Sequence, residues 1–505
     1  MTPGKLIAGL ESRGILLSLA DGEIRYRSPK GALMDVDKEA LRARRAEIID
    51  YLGARTAARA LRAAGSASGP LTPSVAQEMW RQFAGAPYEG EPVALNIGMV
   101  GKFREAPEAV SAAIRQVIAR YDALRAGFVA QGDTLQAFAN PAESFVIEQE
   151  DLRALGPDAA NDVAAKGAQQ LCAQLNRIEG DWLTRAKLFA LPGGETLAAL
   201  SSAHMIADAG TRNIILEEIH DILEHGAPRA APSPPYNDYS LAEREFLAGE
   251  QGAQLISHWR RWYLDQPTMK APADGAPLLW GNGIRTLRNF TIPGRVLDKV
   301  TALAEALKVT PFLIYLTIFS IAMARWSGME RFPLRVLGDK RTSLDLSNTV
   351  GLMFCADALE VNAPARADFE TIMRAILAAY DASLALRIPT LHFWAPQCVR
   401  PGIEERDYPN KIPAVFNYYS VGTARERAEK KAGPDTSASL PWPPEVALVT
   451  QTWPRRSSPL FLHVMDLGHE AVVSLHFYQG VVSPPDQDAF THRLFQTFDS
   501  VVAAG

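Results

Sequence analysis

The order of apolar and polar positions divides the chain before any motif is read. Residues 15–19 (ILLSL) form an apolar run, residues 20–23 (ADGE) carry turn chemistry, and residues 24–27 (IRYR) alternate with period two. That pattern predicts a β-hairpin. Residues 3–13 predict a short helix before it, and residues 37–62 place apolar positions at helical spacing among good helix formers. The small, polar stretch AAGSASGPLT (63–72) reads as a linker. Residues 1–62 are therefore expected to form a small helix–hairpin–helix module attached to a larger body.

In that body, residues 74–85 and 107–124 have helical spacing. VIEQEDL (146–152) and LTRAKLFAL (183–191) read as strands flanking a helix near 158–177, and LAALSSAH (197–204) as a strand with His204 at its end. TRNIILEEIHDIL (211–223) is amphipathic and helical, and a Pro-rich stretch at 227–239 closes the first half. A helix near 240–265 bridges to the second half. There LRNFTIPG (287–294) predicts a strand, and 296–307 and 311–328 predict helices, the second apolar enough to be buried. RFPLRVLGD, IPAVFNYYS, LFLHVMDLG and AVVSLHFYQG predict further strands, and the polar segment 421–457 is expected to be mobile surface. Two halves of alternating helices and strands predict two α/β lobes, 73–250 and 251–505.

Length and composition narrow the function classes. A chain of 505 residues is long enough for two to four domains. Lys and Arg number 52 against 57 Asp and Glu, a net charge of −5, so no nucleic-acid face is expected, although a small basic patch for a protein partner is allowed. The three cysteines, Cys172, Cys355 and Cys398, are far apart and form no CxxC pair. Neither a disulfide framework nor a zinc site is expected, and a reducing compartment fits better. The start, MTPGKLIAGLESRG, lacks a long apolar core, and no apolar run reaches the length of about 18 residues that crosses a membrane. A cytoplasmic protein is expected. No metal-binding spacing, phosphate-binding loop or nucleophile elbow is present.

The candidate chemistry lies in SSAHMIADAG (201–210). His204 ends a strand just before a helix N-terminus, where the positive end of the helix disfavours imidazolium and favours a proton-accepting ring. The backbone N–H groups of Ala209 and Gly210 are placed to stabilise an oxyanion. Asp208 has two possible tasks, capping the helix or pairing with a cation that holds the turn rigid. The four-residue spacing is awkward for a direct carboxylate–imidazole contact. The remaining histidines read as structural: His220 and His225 at a helix surface and end, His463 and His476 as core or edge positions on strands.

ALSSAHMIADAGTRNIILEEI resembles the active-site segment of the condensation domains of nonribosomal peptide synthetases, whose signature is HHxxxDG. Further stretches resemble other motifs of that family in order. They are LTPSVAQEMW (71–80), RYDALRAGF (120–128), PYNDYSLAE (235–243), GDKRTSLDLSNTVGLMF (338–354), VFNYYS (415–420) and RRSSPLFLHV (455–464). The resemblance implies a two-lobed fold like chloramphenicol acetyltransferase, with a tunnel between the lobes for an acyl donor and an acceptor. It implies that His204 is catalytic and that Asp208 is a structural partner of Arg341 from the second lobe. Asn417 and Ser458, on the last two motifs, become candidate tunnel residues. The chain departs from the signature at Ala203, where the family has its first His, and at Ala209, where the family Gly is displaced to Gly210.

ESRGILLSLADGEIRYRSPKG (11–31) resembles the β-hairpin docking domains at the N-termini of some synthetase subunits. Such domains add a short, often acidic, C-terminal segment of a partner as an extra strand. Arg25, Arg27 and Lys30 are the candidates for charge recognition. The resemblance thus implies a condensation enzyme working in trans. It would take an acyl chain from the phosphopantetheine thioester of a separate carrier protein, bind no cofactor itself, and pass the chain to a hydroxyl or amine, with chain release onto a soluble acceptor as one form. Three alternatives share the motif: an epimerase, a carrier-binding module without activity, and a coenzyme A-dependent alcohol acyltransferase, the last lacking its D-F-G-W-G motif here.

Overall fold

Leu6, Leu10, Ile15, Leu17 and Ile48 are all buried against one another, and this cluster forms the core of the N-terminal module. Strand β1 (Leu16–Ala20) pairs antiparallel with β2 (Glu23–Arg27), with Ser18 opposite Arg25, as the alternation at 15–27 predicts. Helix α1 (Asp35–Ala43) follows, and residues 45–49 are helical after a turn at Arg44. In this computed structural model the description covers residues 6, 10, 15–20, 23–27, 33–49, 70–78, 96–131, 134–174, 182–228, 233–279, 281–341, 346–386, 411–420, 444 and 446–502. Lys30, Cys398 and most of the expected linker lie outside them.

The chain divides into two compact units, Met1–Gly249 with Asp339–Phe354, and Glu250–Gly338 with Cys355–Gly505. The change at Gly249 falls beside the expected lobe boundary. Segment 339–354, expected with the C-terminal lobe, belongs instead to the first unit.

The first unit holds two sheets besides the hairpin. One runs β3 (Pro70–Leu71), β6 (Thr134–Ala139), β5 (Ala126–Gln131). The other runs β4 (Asn96–Phe103), β9 (Thr196–Ala203), β8 (Thr184–Ala190), β7 (Ile147–Asp151). Helix α2 (Pro107–Arg120) and helix α3 (Pro157–Ala173) each start with Pro at the first turn, where its missing N–H costs nothing. Ala160, Ala164, Ala168 and Leu171 give α3 a buried stripe at helical spacing, packed on Phe189 and Ala199. Helices α4 (Ala209–His225) and α5 (Tyr236–Ala248) follow in the same unit. Helix α5 begins inside the Pro-rich stretch expected to be a break, because Pro235 serves as its N-cap residue.

The second unit is built on a seven-stranded sheet ordered β12-β11-β13-β15-β16-β10-β14. Its strands are β10 (Gly281–Ile292), β11 (Arg331–Asp339), β12 (Phe354–Asn362), β13 (Ala414–Ser420), β14 (Ala447–Ser457), β15 (Leu460–Asp466) and β16 (Ala471–Tyr478). Its helices are α6 (Glu250–Asp265), α7 (Gly294–Leu307), α8 (Pro311–Ser327), α9 (Phe369–Ala385) and α10 (Pro484–Val502). Every residue of α8 from Leu313 to Ala324 is buried. Two of its buried hydroxyls are satisfied by donating one turn back, Thr317 to the Leu313 carbonyl at 2.7 Å and Ser320 to that of Leu316 at 2.8 Å. The expectation of mobile surface across 421–457 is corrected at its end, where β14 pairs with β10 at one edge of the sheet. Its Pro454 and two arginines hide the strand signal, and an edge strand tolerates them. Among the described residues no single helix is long and apolar enough to cross a membrane, and no group of His, Cys, Asp and Glu is arranged to hold a metal ion.

Candidate active site around His204

Strand β9 is central in its sheet, between β4 and β8, and is buried along nearly its whole length. It ends at Ala203, whose side chain packs with Ala126, Phe128, Leu183, Met205 and Ile206. An imidazole at this position would have to enter an apolar cluster, so the family departure at Ala203 is a matter of packing. The chain then turns through residues 204–206 and enters α4.

Two contacts fix the His204 ring. Its Nδ1 lies 2.8 Å from the Ala207 carbonyl oxygen, which can only accept, so Nδ1 carries the proton and Nε2 the lone pair. The ring also leans on Phe354, with centroids 5.3 Å apart. Burial pushes the imidazole pKa below its ordinary value against the opposing pull of the Asp208 charge. The ring is therefore neutral at pH 7 with a proton-accepting nitrogen, which is what a general base requires.

Asp208 is the N-cap of α4 and is saturated by other groups. It accepts from the Thr211 N–H at 2.8 Å and the Met353 N–H at 2.7 Å. The Arg341 guanidinium grips it with two prongs, at 3.0 Å and 2.9 Å. Burial raises the carboxyl pKa, but the Arg341 charge and the hydrogen bonds outweigh it and hold the group below its usual range. Both tasks open to Asp208 in the sequence are thus combined in one side chain.

Arg341 is anchored further, donating to the Thr349 carbonyl at 2.8 Å and to the Thr211 hydroxyl at 3.0 Å, with Asp339 at 3.0 Å. A Cβ at Gly210 would overlap that guanidinium and approach Asp339 Oδ2 to 3.1 Å. The displaced glycine is therefore needed at position 210, while Ala209 is accommodated. The N–H groups of Ala209 and Gly210 sit in the first turn of α4, where helix geometry offers them no intrahelical acceptor.

Several supporting residues were not picked out by their chemistry in the sequence, although most lie within its family-like motifs. Tyr236 donates to the Leu352 carbonyl at 3.0 Å and meets the Ser74 hydroxyl at 2.9 Å. Gln77 reaches the Met205 carbonyl at 3.2 Å. Asp122 accepts from the N–H groups of Tyr236 and Asn237 at 3.0 and 2.9 Å and so caps α5. Lys340 forms a second buried ion pair with Glu243 at 3.2 Å and donates to Tyr239 Oη at 2.7 Å, while its backbone N–H donates to the Met353 carbonyl at 2.7 Å. Adjacent residues Lys340 and Arg341 therefore tie segment 339–354 to α5 and to the His204 turn. A Cβ at Gly351 would collide with the Tyr236 ring. Gly351→Ala is expected to cost about 1–3 kcal/mol of stability, read as a lowered thermal midpoint, by overpacking.

The other candidates are placed differently. Asn417 is half-buried on β13 and donates to His463 Nδ1 at 3.2 Å. Ser458 is 1% exposed, and its hydroxyl donates to the Ile412 carbonyl at 3.1 Å, so it staples a loop and is corrected as a wall residue. Arg25 is exposed on β2, with Arg27 at the end of that strand.

The chain matches the condensation-domain family model over residues 80–382 and the TubC N-terminal docking-domain model over residues 4–53. It is 26% identical over 271 residues to the phosphinothricin tripeptide synthetase PhsB of Streptomyces viridochromogenes, covering 52% of this chain and 22% of that protein. It is 26% identical over 171 residues to tyrocidine synthase 3 of Brevibacillus parabrevis, covering 34% of this chain and 3% of that protein. The chain thus spans under a quarter of these curated relatives. Among solved structures it is similar, at 32% identity, TM-score 0.76 and coverage of 99% of this chain and 97% of the other, to one described as the molecular basis for condensation domain-mediated chain release from the enacyloxin polyketide synthase. The EpoB cyclization-docking bidomain of Sorangium cellulosum shares the fold at TM-score 0.62 and 18% identity, covering 99% of this chain and 97% of the other. With the His204 turn, its Asp208–Arg341 support and the N-terminal hairpin, these matches lead to one conclusion: the chain belongs to the condensation-domain family of synthetase and polyketide assembly systems and carries a TubC-type docking domain at its N-terminus.

Proposed function

We propose that the protein is a trans-acting acyltransferase that moves an acyl chain from the phosphopantetheine thioester of a separate carrier protein to a hydroxyl or amine. The observation that carries this reading is the state of His204: Nδ1–H is donated to Ala207, and Nε2 keeps its lone pair while Asp208 is fully occupied. Nε2 takes the proton of the acceptor O–H or N–H as that atom attacks the thioester carbonyl. The new C–O or C–N bond forms, negative charge develops on the carbonyl oxygen, and the first-turn N–H groups of Ala209 and Gly210 stabilise it. The C–S bond then breaks, and His204 returns the proton to the leaving thiolate. A thioester is already activated, so positioning contributes alongside base catalysis, and no cofactor of the chain's own is needed.

Chain release onto a soluble acceptor is the favoured form. The similarity to a condensation domain described in chain release supports it, as does the docking module, which suits a carrier on another chain. The carrier's partner segment adds as a strand to an open edge of the β1–β2 sheet, with Arg25 and Arg27 selecting acidic side chains and a cytoplasmic setting fitting both partners. Arg25→Glu should raise the KM for the cognate carrier, with the difference from wild type shrinking as salt rises.

The pH profile follows from the sign of the His204 shift. Its pKa lies below the ordinary imidazole value, so the base form persists to lower pH than for a free histidine. The acid limb of kcat should therefore have its midpoint below about 6.5. A midpoint above that value contradicts the assignment of His204 as the base. Function itself is tested by mixing the enzyme with acyl-loaded carrier and soluble alcohols and amines, then following carrier and product by mass spectrometry.

A further inference from the structure

The segment of the first unit that ends beside His204 is anchored through its backbone. The Thr349 carbonyl accepts from Arg341 Nε at 2.8 Å. Gly351 donates its N–H to the Thr211 hydroxyl at 3.0 Å and accepts that hydroxyl's proton on its carbonyl at 2.9 Å. Thr211 Oγ1 also accepts from Arg341 Nη2 at 3.0 Å, so its one donor and two acceptor sites are all used. The Leu352 carbonyl accepts from Tyr236 Oη at 3.0 Å. Met353 donates its N–H to Asp208 at 2.7 Å, and its carbonyl accepts from the Lys340 N–H at 2.7 Å. This anchoring fixes where the next residue, Phe354, leaves the backbone.

Thr349 to Met353 are buried, and so are Cys355 to Leu359, but Phe354 between them is only half-buried. A large apolar side chain thus keeps accessible surface at the position where this run meets the His204 imidazole, with ring centroids 5.3 Å apart and planes at 50°. The Ala207 carbonyl occupies the Nδ1 edge of that imidazole, and the phenyl ring takes up space beside it without offering water a strong hydrogen-bond partner. Burial is the largest cause of the lowered His204 pKa, which fits an apolar flank. The charge facing the ring is Asp208, held in turn by Arg341 with Asp339 beside it. Such a flank answers a chemical problem. A base that takes a proton from an alcohol or amine also takes one from water. The water oxygen would then attack the thioester carbonyl while its proton passed to His204 Nε2. The C–S bond would break, the proton would return to the thiolate, and the acyl chain would leave as a free acid. Excluding water beside the base favours the bound acceptor.

We propose that Phe354 is a selectivity residue, whose ring keeps water from serving as the acyl acceptor at His204. The consequence for transfer rests on the acyltransfer reading above; the drying of the imidazole by Phe354 does not.

The test uses the full chain in two arms, with Phe354→Ala, Phe354→Gln and Phe354→Leu each checked for folding by thermal unfolding. In the first arm, octanoyl-loaded carrier is offered 6-aminohexan-1-ol, and free acid and transfer product are counted by mass spectrometry. Phe354→Ala should raise the ratio of acid to transfer product about tenfold, within the roughly 10²-fold scale on which small changes of placement act. Phe354→Gln, which keeps the length but offers water a partner, should do the same, and Phe354→Leu, which restores apolar bulk, should stay near the wild-type ratio. Adding His204→Ala to Phe354→Ala should abolish the excess acid. An unchanged ratio, an equal loss of both products, or excess acid that survives without His204 overturns the selectivity role. In the second arm, nitrogen NMR follows the imidazole that disappears in His204→Ala. Its pKa should rise in Phe354→Ala toward the ordinary value of about 6.5 and remain low in Phe354→Leu. An unchanged pKa in Phe354→Ala overturns the drying of the imidazole. If the wild type forms no transfer product, the acyltransfer reading fails, and the NMR arm still decides whether Phe354 dries His204.

Discussion

Replacing His204 with alanine should leave a folded chain that transfers acyl groups from a loaded carrier about 10²- to 10⁴-fold more slowly. The ring contributes little to the core: it is half-buried, hydrogen-bonded within its own turn and tilted against Phe354. Its removal should therefore reduce kcat with little change in the KM for the carrier, because docking relies on a different module. Kinetics on a saturating carrier with one fixed acceptor, alongside thermal unfolding, measures both. A variant that keeps full turnover removes His204 from the mechanism. A variant that unfolds is replaced by His204→Asn, which keeps a donor for the Ala207 carbonyl but offers no comparable base.

Breaking the Asp208–Arg341 pair should have the largest effect on stability. Arg341→Met leaves a buried carboxylate without its cation, and such a loss costs about 3–5 kcal/mol. Both side chains are almost fully buried, at 5% and 6% exposure, so solvent screens the pair little. The consequence reaches the chemistry as well. Arg341 holds Asp208 against the N-terminus of α4, and the Asp208 charge already acts to raise the His204 pKa. With Arg341 gone, the less compensated carboxylate should raise it further, and the acid limb of kcat should move to higher pH. Asp208→Asn with Arg341 intact removes that charge, so its acid limb should move the other way. A double-mutant cycle separates the coupling from the single losses. Equal midpoints in all variants would contradict the electrostatic link while leaving a purely structural pair.

The Lys340–Glu243 pair predicts a contrast. Replacing it by Met and Leu together removes both buried charges at once, and such swaps are often neutral for stability. The double variant should therefore unfold near the wild-type temperature, whereas Lys340→Met alone should not.

Much of this site was legible because its chemistry is local. A strand, a histidine, a short turn and an N-cap aspartate occupy consecutive positions, and hydrophobic periodicity places them without tertiary information. The hairpin at 15–27 was equally clear, since alternation and turn residues coincide there. What remained hidden depends on contacts distant in sequence. Nothing near Lys340 indicates that Glu243 lies within 3.2 Å, and nothing near Gly351 indicates the Tyr236 ring. Strand β4 was missed because two glycines weaken its signal, yet a Cβ at Gly98 would come within 2.7 Å of Cys172 Sγ on α3. Strand β14 was hidden by its proline and arginines. Ser458 went wrong because a motif position says which residue is present, not whether its hydroxyl already serves a neighbouring carbonyl.

The most direct test of the central claim is a single incubation of the enzyme with acyl-loaded carrier and a panel of soluble alcohols and amines, read by intact-protein and product mass spectrometry, with His204→Ala beside it. The predicted result is loss of the acyl group from the carrier matched by a new ester or amide, both absent or strongly slowed in the variant. A carrier that stays loaded with every acceptor, or one that loses its acyl group equally fast with and without His204, would contradict it.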